Sequence, residues 1–379
     1  MTKTDRSARV VRLLGILLIS LTLAACASAT RPPVDSAVLA VTPLGAADSP
    51  PGRLSARRIR AGERLEILAL SGGGADGAFG AGVLRGWTES GNRPHFDIVT
   101  GVSTGALMSV FAFLGPRYDD LLEDLYTRTN NSRIYRRKPL LAGLTGASMY
   151  DYTPLKHEIE RLIDEPLLDE IAREHRKGRR LYVATVNLDA GRLVVWDIGL
   201  IAASGHPMRA RIVQKVLRAS AAVPGFFKPV YIQPLPDNPA RQMHVDGSVK
   251  APFLLEEFML RPPAREKTVR VVVNGRLQVA GDVDAVKPNT IAIARRSIRE
   301  LLRTMMRKTV FEAGAMTRRH GGRYQVISIP ESAPPTPDPL DFDPAHMRRL
   351  YEIGRRMGRG LPPREGAKER IAAAAALSR

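Results

Sequence analysis

The sequence predicts an α/β fold, on three observations. Residues 65–70, Leu-Glu-Ile-Leu-Ala-Leu, read as a buried strand that runs through a glycine-rich turn into an apolar helix with Val83, Leu84 and Trp87. Residues 96–100 form a second short run with β-branched Ile98, Val99 and Thr100, followed by Gly101-Val102-Ser103-Thr104-Gly105 and the apolar run 106–111. Further strand and helix patterns follow both units, and 44% hydrophobic residues suffice for a sizeable core.

The N-terminus has a different character. Lys3, Arg6, Arg9 and Arg12 precede a mostly apolar stretch, 13–23, and then Ala24-Ala25-Cys26. That stretch is too short to span a membrane and has the layout of a secretory signal. Leu23-Ala24-Ala25-Cys26 also resembles a bacterial lipobox, in which cleavage precedes a cysteine that carries lipid. Cys26 is the only cysteine, so no intramolecular disulfide can form. Residues 1–25 are thus expected to be a lipoprotein signal peptide. By resemblance to Gram-negative lipoproteins, Ala27 after the cysteine directs the chain to the outer membrane. Residues 26–63, with Pro32-Pro33 and Pro50-Pro51, read as a flexible tether. The formal net charge of +19 favours anionic surfaces. Phospholipid headgroups and nucleic acid both qualify, the signal peptide argues against nucleic acid, and an arginine-rich compositional bias is an equally weighted alternative.

The main domain is expected over 64–330. After the second unit, 118–127 reads as a helix with Leu121, Leu122 and Leu125 on one side. Residues 130–150 read as a basic solvated loop, with a lid or headgroup contact as the alternative. Thr153-Pro154 opens a helix with proline in its first turn. Residues 181–186 and 193–196 read as strands joined by a turn near Asp189-Ala190-Gly191. Residues 209–222 form an amphipathic helix ended by Pro224, and Phe226-Phe227 read as core, with an acyl channel as the alternative. Residues 269–273 and 324–329 are further strands. Residues 291–310 form a long basic helix, read as peripheral, with a membrane-surface helix as the alternative. The proline-rich run 334–339 reads as a linker-like loop, and 331–379 as a C-terminal helical extension with a helix at 346–357.

Two stretches carry chemistry. In Gly101-Val102-Ser103-Thr104-Gly105 the context strand, G-x-S-x-G, helix is that of a nucleophile elbow. The turn is too tight for side chains at both flanks, so Gly101 and Gly105 fit beside the serine. The elbow places the Ser103 hydroxyl at a helix N-terminus, where free N–H groups favour developing negative charge. About thirty residues upstream, Ser71-Gly72-Gly73-Gly74-Ala75-Asp76-Gly77 exposes backbone N–H groups that can form an oxyanion hole. Gly72, Gly74 and Gly77 also match G-x-G-x-x-G, with Glu89 or Asp97 as the acidic residue a dinucleotide site wants. Neither ends an obvious second strand, and the Lys-Ser/Thr of a P-loop is absent.

Met243-His244-Val245-Asp246-Gly247-Ser248 is, alone, an Asp-Gly turn. Joined in order with the other two stretches, it resembles the patatin-like phospholipase family. The resemblance spans about 66–247 and extends to 219–227. It implies a mainly parallel central sheet with helices on both faces, a three-layer architecture. It implies lipid acyl hydrolysis by a Ser–Asp dyad, with membrane lipid or another fatty-acyl ester as substrate and no metal or cofactor. Carried over, Ser103 is the nucleophile and Asp246 its proton acceptor. Gly72, Gly73 and Gly74 supply the oxyanion N–H groups, Gly77 permits close helix packing, and Gly247 completes the Asp-Gly motif. The chain departs from the family at Asp76, where Lys or Arg is frequent, and at Ser248, where Gly or Ala is frequent. Two other readings stay open. One is an α/β-hydrolase triad with His320 or His346 as base; the other is a catalytically silent lipoprotein scaffold.

Overall fold

The computed structural model describes residues 46–48, 63–139, 146–233, 241–278, 285–336 and 338–361. The signal peptide, Cys26, nearly all of the tether and the residues from 362 onward lie outside them.

Strand β1 (Ala46–Asp48) is followed by β2 (Arg64–Leu70), α1 (Gly77–Glu89), β3 (Ile98–Gly101), α2 (Thr104–Leu114) and α3 (Asp119–Thr127). The basic segment then folds as a short helix, α4 (Asn131–Ile134), and a two-stranded ribbon of β4 (Arg136–Arg137) and β5 (Tyr150–Asp151). Next come α5 (Thr153–Leu162), α6 (Glu165–Arg176), β6 (Arg180–Asn187), β7 (Arg192–Asp197), α7 (Ile198–Ala203) and α8 (Arg209–Ser220). The chain continues through β8 (Val230–Ile232), β9 (Gln242–Asp246), β10 (Glu266–Val273), α9 (Thr290–Arg319), β11 (Arg323–Ser328) and α10 (Pro344–Arg359).

The central sheet runs β1-β7-β6-β3-β2-β10-β11. Strands β6, β3, β2, β10 and β11 are mutually parallel, with antiparallel β7 and β1 at one edge. Buried on both faces, β2, β3, β6 and the second half of β10 carry largely apolar runs rather than alternation with polar residues. Alternate side chains supply two cores. Leu68, Leu70, Val99 and Val272 join the core under most of the helices. Leu65, Ile67, Ala69, Val269 and Val271 join a second core covered by 253–260 and by Ala313 of α9. The fold is therefore α/β, a mainly parallel sheet with helical cover on both faces.

The connection from β2 leads to β3 on one side, whereas β10 joins β2 on the other. This reversal opens a crevice at the carboxyl end of β2, where ligands bind in open α/β sheets.

A second junction arises along one edge of β6. There β3 pairs in parallel and ends with Gly101 opposite Val183. On the same edge β9 pairs antiparallel and ends with Asp246 opposite Thr185. Two strands running in opposite directions thus end head to head, with only Ala184 of β6 between their partners. The sheet itself brings the residues after Gly101 next to Asp246.

The residues read as a C-terminal extension pack into the body of the domain. In α10, Gly354 and Gly358 face the backbone of Phe79 and Val83 in α1, while Gly82 and Gly86 of α1 face the carbonyls of Tyr351 and Arg355. The four glycines interlock the two helices at backbone contact, which leaves no space for a methyl group. Gly82→Ala is expected to cost about 3 kcal/mol by overpacking. Denaturant unfolding should show a lower midpoint with the slope unchanged.

Candidate active site

Ser103 caps α2 with φ 55° and ψ −126°. Among the described residues it is the only non-glycine with positive φ, a conformation that costs energy and is retained where the surroundings enforce it. The flanking glycines explain how the turn closes. A Cβ on Gly101 would collide with the backbone of Gly105 and Ala106, and one on Gly105 with the carbonyls of Leu70 and Ser71. The Ser103 N–H donates to Ser220 Oγ at 3.0 Å, and Ser220 Oγ donates to the Ala184 carbonyl at 2.8 Å. Ala184 is the β6 residue at the head-to-head junction, so Ser220 ties the elbow to the sheet where the strand pairing is interrupted.

The Ser103 side chain lies beside the Asp246 carboxylate, near enough to lower its pKa. Both residues are buried, at 7% and 2% exposure. The Asp246 backbone N–H donates to the Ala222 carbonyl at 3.0 Å. Its Oδ1 accepts the Ser248 N–H at 2.8 Å. Burial pushes the Asp246 carboxyl up to about 6, while Ser103 and Ser248 oppose the rise. Gly247 is required at the junction, because a Cβ there would lie 2.6 Å from the Ala184 carbonyl oxygen.

The glycine-rich loop leaves β2 directly beside the serine. A Cβ on Gly72 would sit 3.1 Å from Ser103 Cβ and 2.5 Å from Ser248 Oγ. The Gly72 N–H is committed to the Pro252 carbonyl at 3.0 Å. Gly72 therefore departs from the oxyanion-donor role expected of it and instead makes room for the two serines. Gly73 and Gly74 differ: among the described residues their N–H groups have no hydrogen-bond acceptor, and both residues line the cleft that contains Ser103. Asn274, just past β10, braces this loop. Its N–H donates to Ser71 Oγ at 2.8 Å, its amide Nδ2 donates to the Ser71 carbonyl at 2.9 Å, and its Oδ1 accepts the Gly80 N–H at 3.1 Å. Gly77 lies against Thr104 and Tyr126, with no space for a side chain.

Thr336, Asp338 and Pro339, from the run read as a linker, line the cleft. Pro339 O accepts the Ala75 N–H at 2.8 Å, and Thr336 Oγ1 donates to Asp76 Oδ1 at 2.6 Å. Thr336 Oγ1 also lies 2.8 Å from His346 Nε2. Burial pushes the Asp76 carboxyl up to about 7, against the Thr336 hydrogen bond and the nearby Arg276 guanidinium. Burial thus favours the neutral form of this carboxyl far more than in an ordinary aspartate. Its opposition to an oxyanion at the neighbouring loop is correspondingly reduced.

The histidines have other partners. His346 is bonded to Thr336, and His320 faces Glu257 at 3.4 Å. His244 lies within hydrogen-bond distance of Thr185 Oγ1 and Gln242 Oε1, and burial pushes it down to about 4, so it is neutral. Of the acidic residues a dinucleotide reading required, Glu89 is ion-paired with Arg85, Arg355 and Arg359, and Asp97 accepts the Glu66 N–H. Neither lines the cleft.

The cleft measures about 1620 Å³, ample for a long acyl chain. Leu107, Phe111, Leu155 and Ile159 give it an apolar wall. Phe226 and Phe227 line it as well, stacked or tilted against Tyr150 and Tyr152. Phe227 is buried at 3% exposure, so it serves both as core and as lining. Among the described residues no group of histidine, cysteine and acidic side chains is placed to hold a metal.

A mainly parallel sheet, a strained serine in a tight strand-to-helix turn and a glycine loop beside it define the class as an α/β protein with a serine elbow. Residues 68–259 match the family model described as patatin-like phospholipase, and the chain belongs to that family. A cGAMP-activated phospholipase of Escherichia coli (strain TW11681) is 25% identical over 202 residues, which cover 50% of this chain and 53% of that protein. The chain thus spans about half the length of that curated relative. Two solved structures show partial similarity. VipD from Legionella pneumophila has a TM-score of 0.39 at 12% identity, over 82% of this chain and 71% of that one. Full-length ExoU in complex with SpcU, from the type III secretion system of Pseudomonas aeruginosa, has a TM-score of 0.28 at 14% identity, over 69% and 53%.

Proposed function

We propose that the protein is a lipid acyl hydrolase that works through a Ser103–Asp246 dyad and an acyl-enzyme. The observation that carries this reading is the strained Ser103 at the head of α2, set beside a buried Asp246 carboxylate whose pKa it lowers, in a cleft that also presents Gly73 and Gly74, whose amides have no acceptor among the described residues.

Serine is a weak nucleophile until a neighbour takes its proton. Asp246 accepts that proton as Ser103 Oγ attacks the ester carbonyl carbon. The carbonyl oxygen becomes an oxyanion held by the Gly73 and Gly74 N–H groups. The ester C–O bond then breaks, and the proton on Asp246 passes to the departing alcohol. Water attacks the acyl-enzyme with Asp246 again taking the proton, the fatty acid leaves, and the proton returns to Ser103. A carboxylate raised to about 6 is a stronger base than an ordinary aspartate and is still mostly ionised at pH 7. The apolar cleft walls accommodate an acyl chain. The N-terminal features around Cys26 place the enzyme, in this reading, on the outer membrane as a lipoprotein.

Incubation with phospholipid labelled in its acyl chains is expected to release free fatty acid in proportion to enzyme. A rapid-quench time course should show a burst of the alcohol product if deacylation is the slower step. Absence of fatty-acid release from phospholipid, lysophospholipid and acylglycerol alike would contradict the reading.

A further inference from the structure

Helix α9 is unusual in what it leaves uncovered. Among the described residues the four most exposed large apolar side chains all belong to it: Phe311 (73%), Leu301 (67%), Ile298 (54%) and Ile293 (51%). Its other side is anchored in the second core through Met306, Val310, Ala313 and Met316. Ile293 and Phe311 stand eighteen residues apart, five helical turns, and so lie on one line along the helix. The exposed arc widens to Leu301, about 80° from that line, and, ahead of the anchored residues on the N-terminal half of the helix, to Ile298, about 140° from it.

This arc runs into the mouth of the cleft. Ile298, Leu301 and Leu302 line the cleft, and so do Leu188 and Val249, two further exposed apolar residues on other segments. The rim of a site that contains Ser103 and Asp246 is therefore apolar and open to solvent. Such a contiguous patch on a protein surface marks an interaction site.

Charge indicates what covers it. The helix carries eight basic and two acidic residues. Arg307, Lys308, Arg318 and Arg319 are exposed, and the chain as a whole has a net charge of +19. Apolar side chains beside a cationic flank match the boundary between acyl chains and anionic headgroups. No helix among the described residues is long and apolar enough to cross a membrane, so α9 would lie in the interface plane.

We propose that α9 and the cleft rim form a docking surface for an anionic phospholipid bilayer, seating the cleft mouth on the lipid layer so that a chain enters without crossing water. The proposal rests on the lipid-hydrolase reading and extends it to the physical state of the substrate, an aggregated anionic lipid surface.

The test uses the full chain, the double variant Ile293→Asp with Phe311→Asp, and the charge variant Arg307→Glu with Lys308→Glu. None of these four residues lines the cleft. Co-sedimentation is measured with phosphatidylcholine vesicles and with vesicles containing phosphatidylglycerol. The unaltered chain is expected to bind the anionic vesicles roughly tenfold or more tightly, less so in high salt. The apolar double variant should lose at least roughly tenfold in vesicle binding and in vesicle hydrolysis, with hydrolysis of a soluble short-chain ester unchanged. The charge variant should erase the preference for phosphatidylglycerol.

Vesicle binding that ignores lipid charge, or that both variants leave intact, would overturn the proposal. So would an apolar variant that changes only the association state in sedimentation, which would make the face a contact between copies. Binding is read without turnover. A chain that binds anionic vesicles through α9 but cleaves no ester would refute the hydrolase reading alone.

Discussion

Ser103→Ala is expected to lower ester hydrolysis about 10⁴-fold or more, leaving the fold intact. The size follows from the chemistry. In the proposed mechanism Asp246 and the Gly73 and Gly74 amides act on the serine oxygen and the oxyanion its attack creates, and without that oxygen no acyl-enzyme can form. The substitution keeps Cβ and the backbone N–H bonded to Ser220, and it adds no atom to a site where Gly72 already lies in contact. Circular dichroism and the unfolding midpoint should therefore match those of the unaltered protein. Near-normal hydrolysis by a well-folded Ser103→Ala protein would remove the nucleophile from the scheme.

Asp246→Asn should cost about 10³–10⁴-fold in kcat and, more diagnostically, change the pH profile. The carboxyl is raised to about 6 by burial and acts as a base only when ionised. The rate of the unaltered enzyme should fall as pH drops through about 6. In Asp246→Asn the residual rate should lack that limb. Stability should move the other way. A carboxyl whose folded pKa is raised contributes stability that is fully present below the ordinary carboxylate range and is lost as pH rises through about 6. Asparagine is neutral throughout and retains an acceptor for the Ser248 N–H. Asp246→Asn should therefore be more stable than the unaltered protein at pH 8, with the advantage vanishing near pH 4. A less stable variant at pH 8 would mean that Asp246 serves the fold rather than the reaction.

The elbow and the glycine loop were legible in the sequence because each is local. Gly101 and Gly105 are demanded by contacts within one turn of chain or by the neighbouring strand, and the apolar runs on either side announce strand and helix. Asp246 stood out only through its order after the other two motifs. What makes its position inevitable is the head-to-head ending of β3 and β9 on β6, and strand order is not written in periodicity. Ser220 and Asn274 act through partners more than a hundred residues away, so no local pattern marks them. The cleft lining at Thr336 and Pro339 works through the carbonyl of Pro339 as well as the Thr336 side chain, and backbone groups leave no trace in composition. Helix α6 did carry readable signals: Asp164 caps it, Pro166 lies in its first turn, and Leu167, Leu168, Ile171 and Ala172 are its buried side. Helix α7, six residues long, is too short for a 3.6-residue period to declare itself. Helix α9 was read as peripheral, which its anchored side supports, while its exposed apolar arc depends on what the fold leaves uncovered.

The most direct test of the dyad is covalent capture of the nucleophile. The full chain is treated with a fluorophosphonate bearing a long alkyl group, digested, and mapped by mass spectrometry. A serine in this site displaces fluoride and keeps the phosphonyl group. One adduct is expected, on Ser103, with labelling that slows as pH falls below about 6 and is strongly reduced in Asp246→Asn. Labelling at another serine, or at Ser103 with a rate indifferent to Asp246 and to pH, would contradict it.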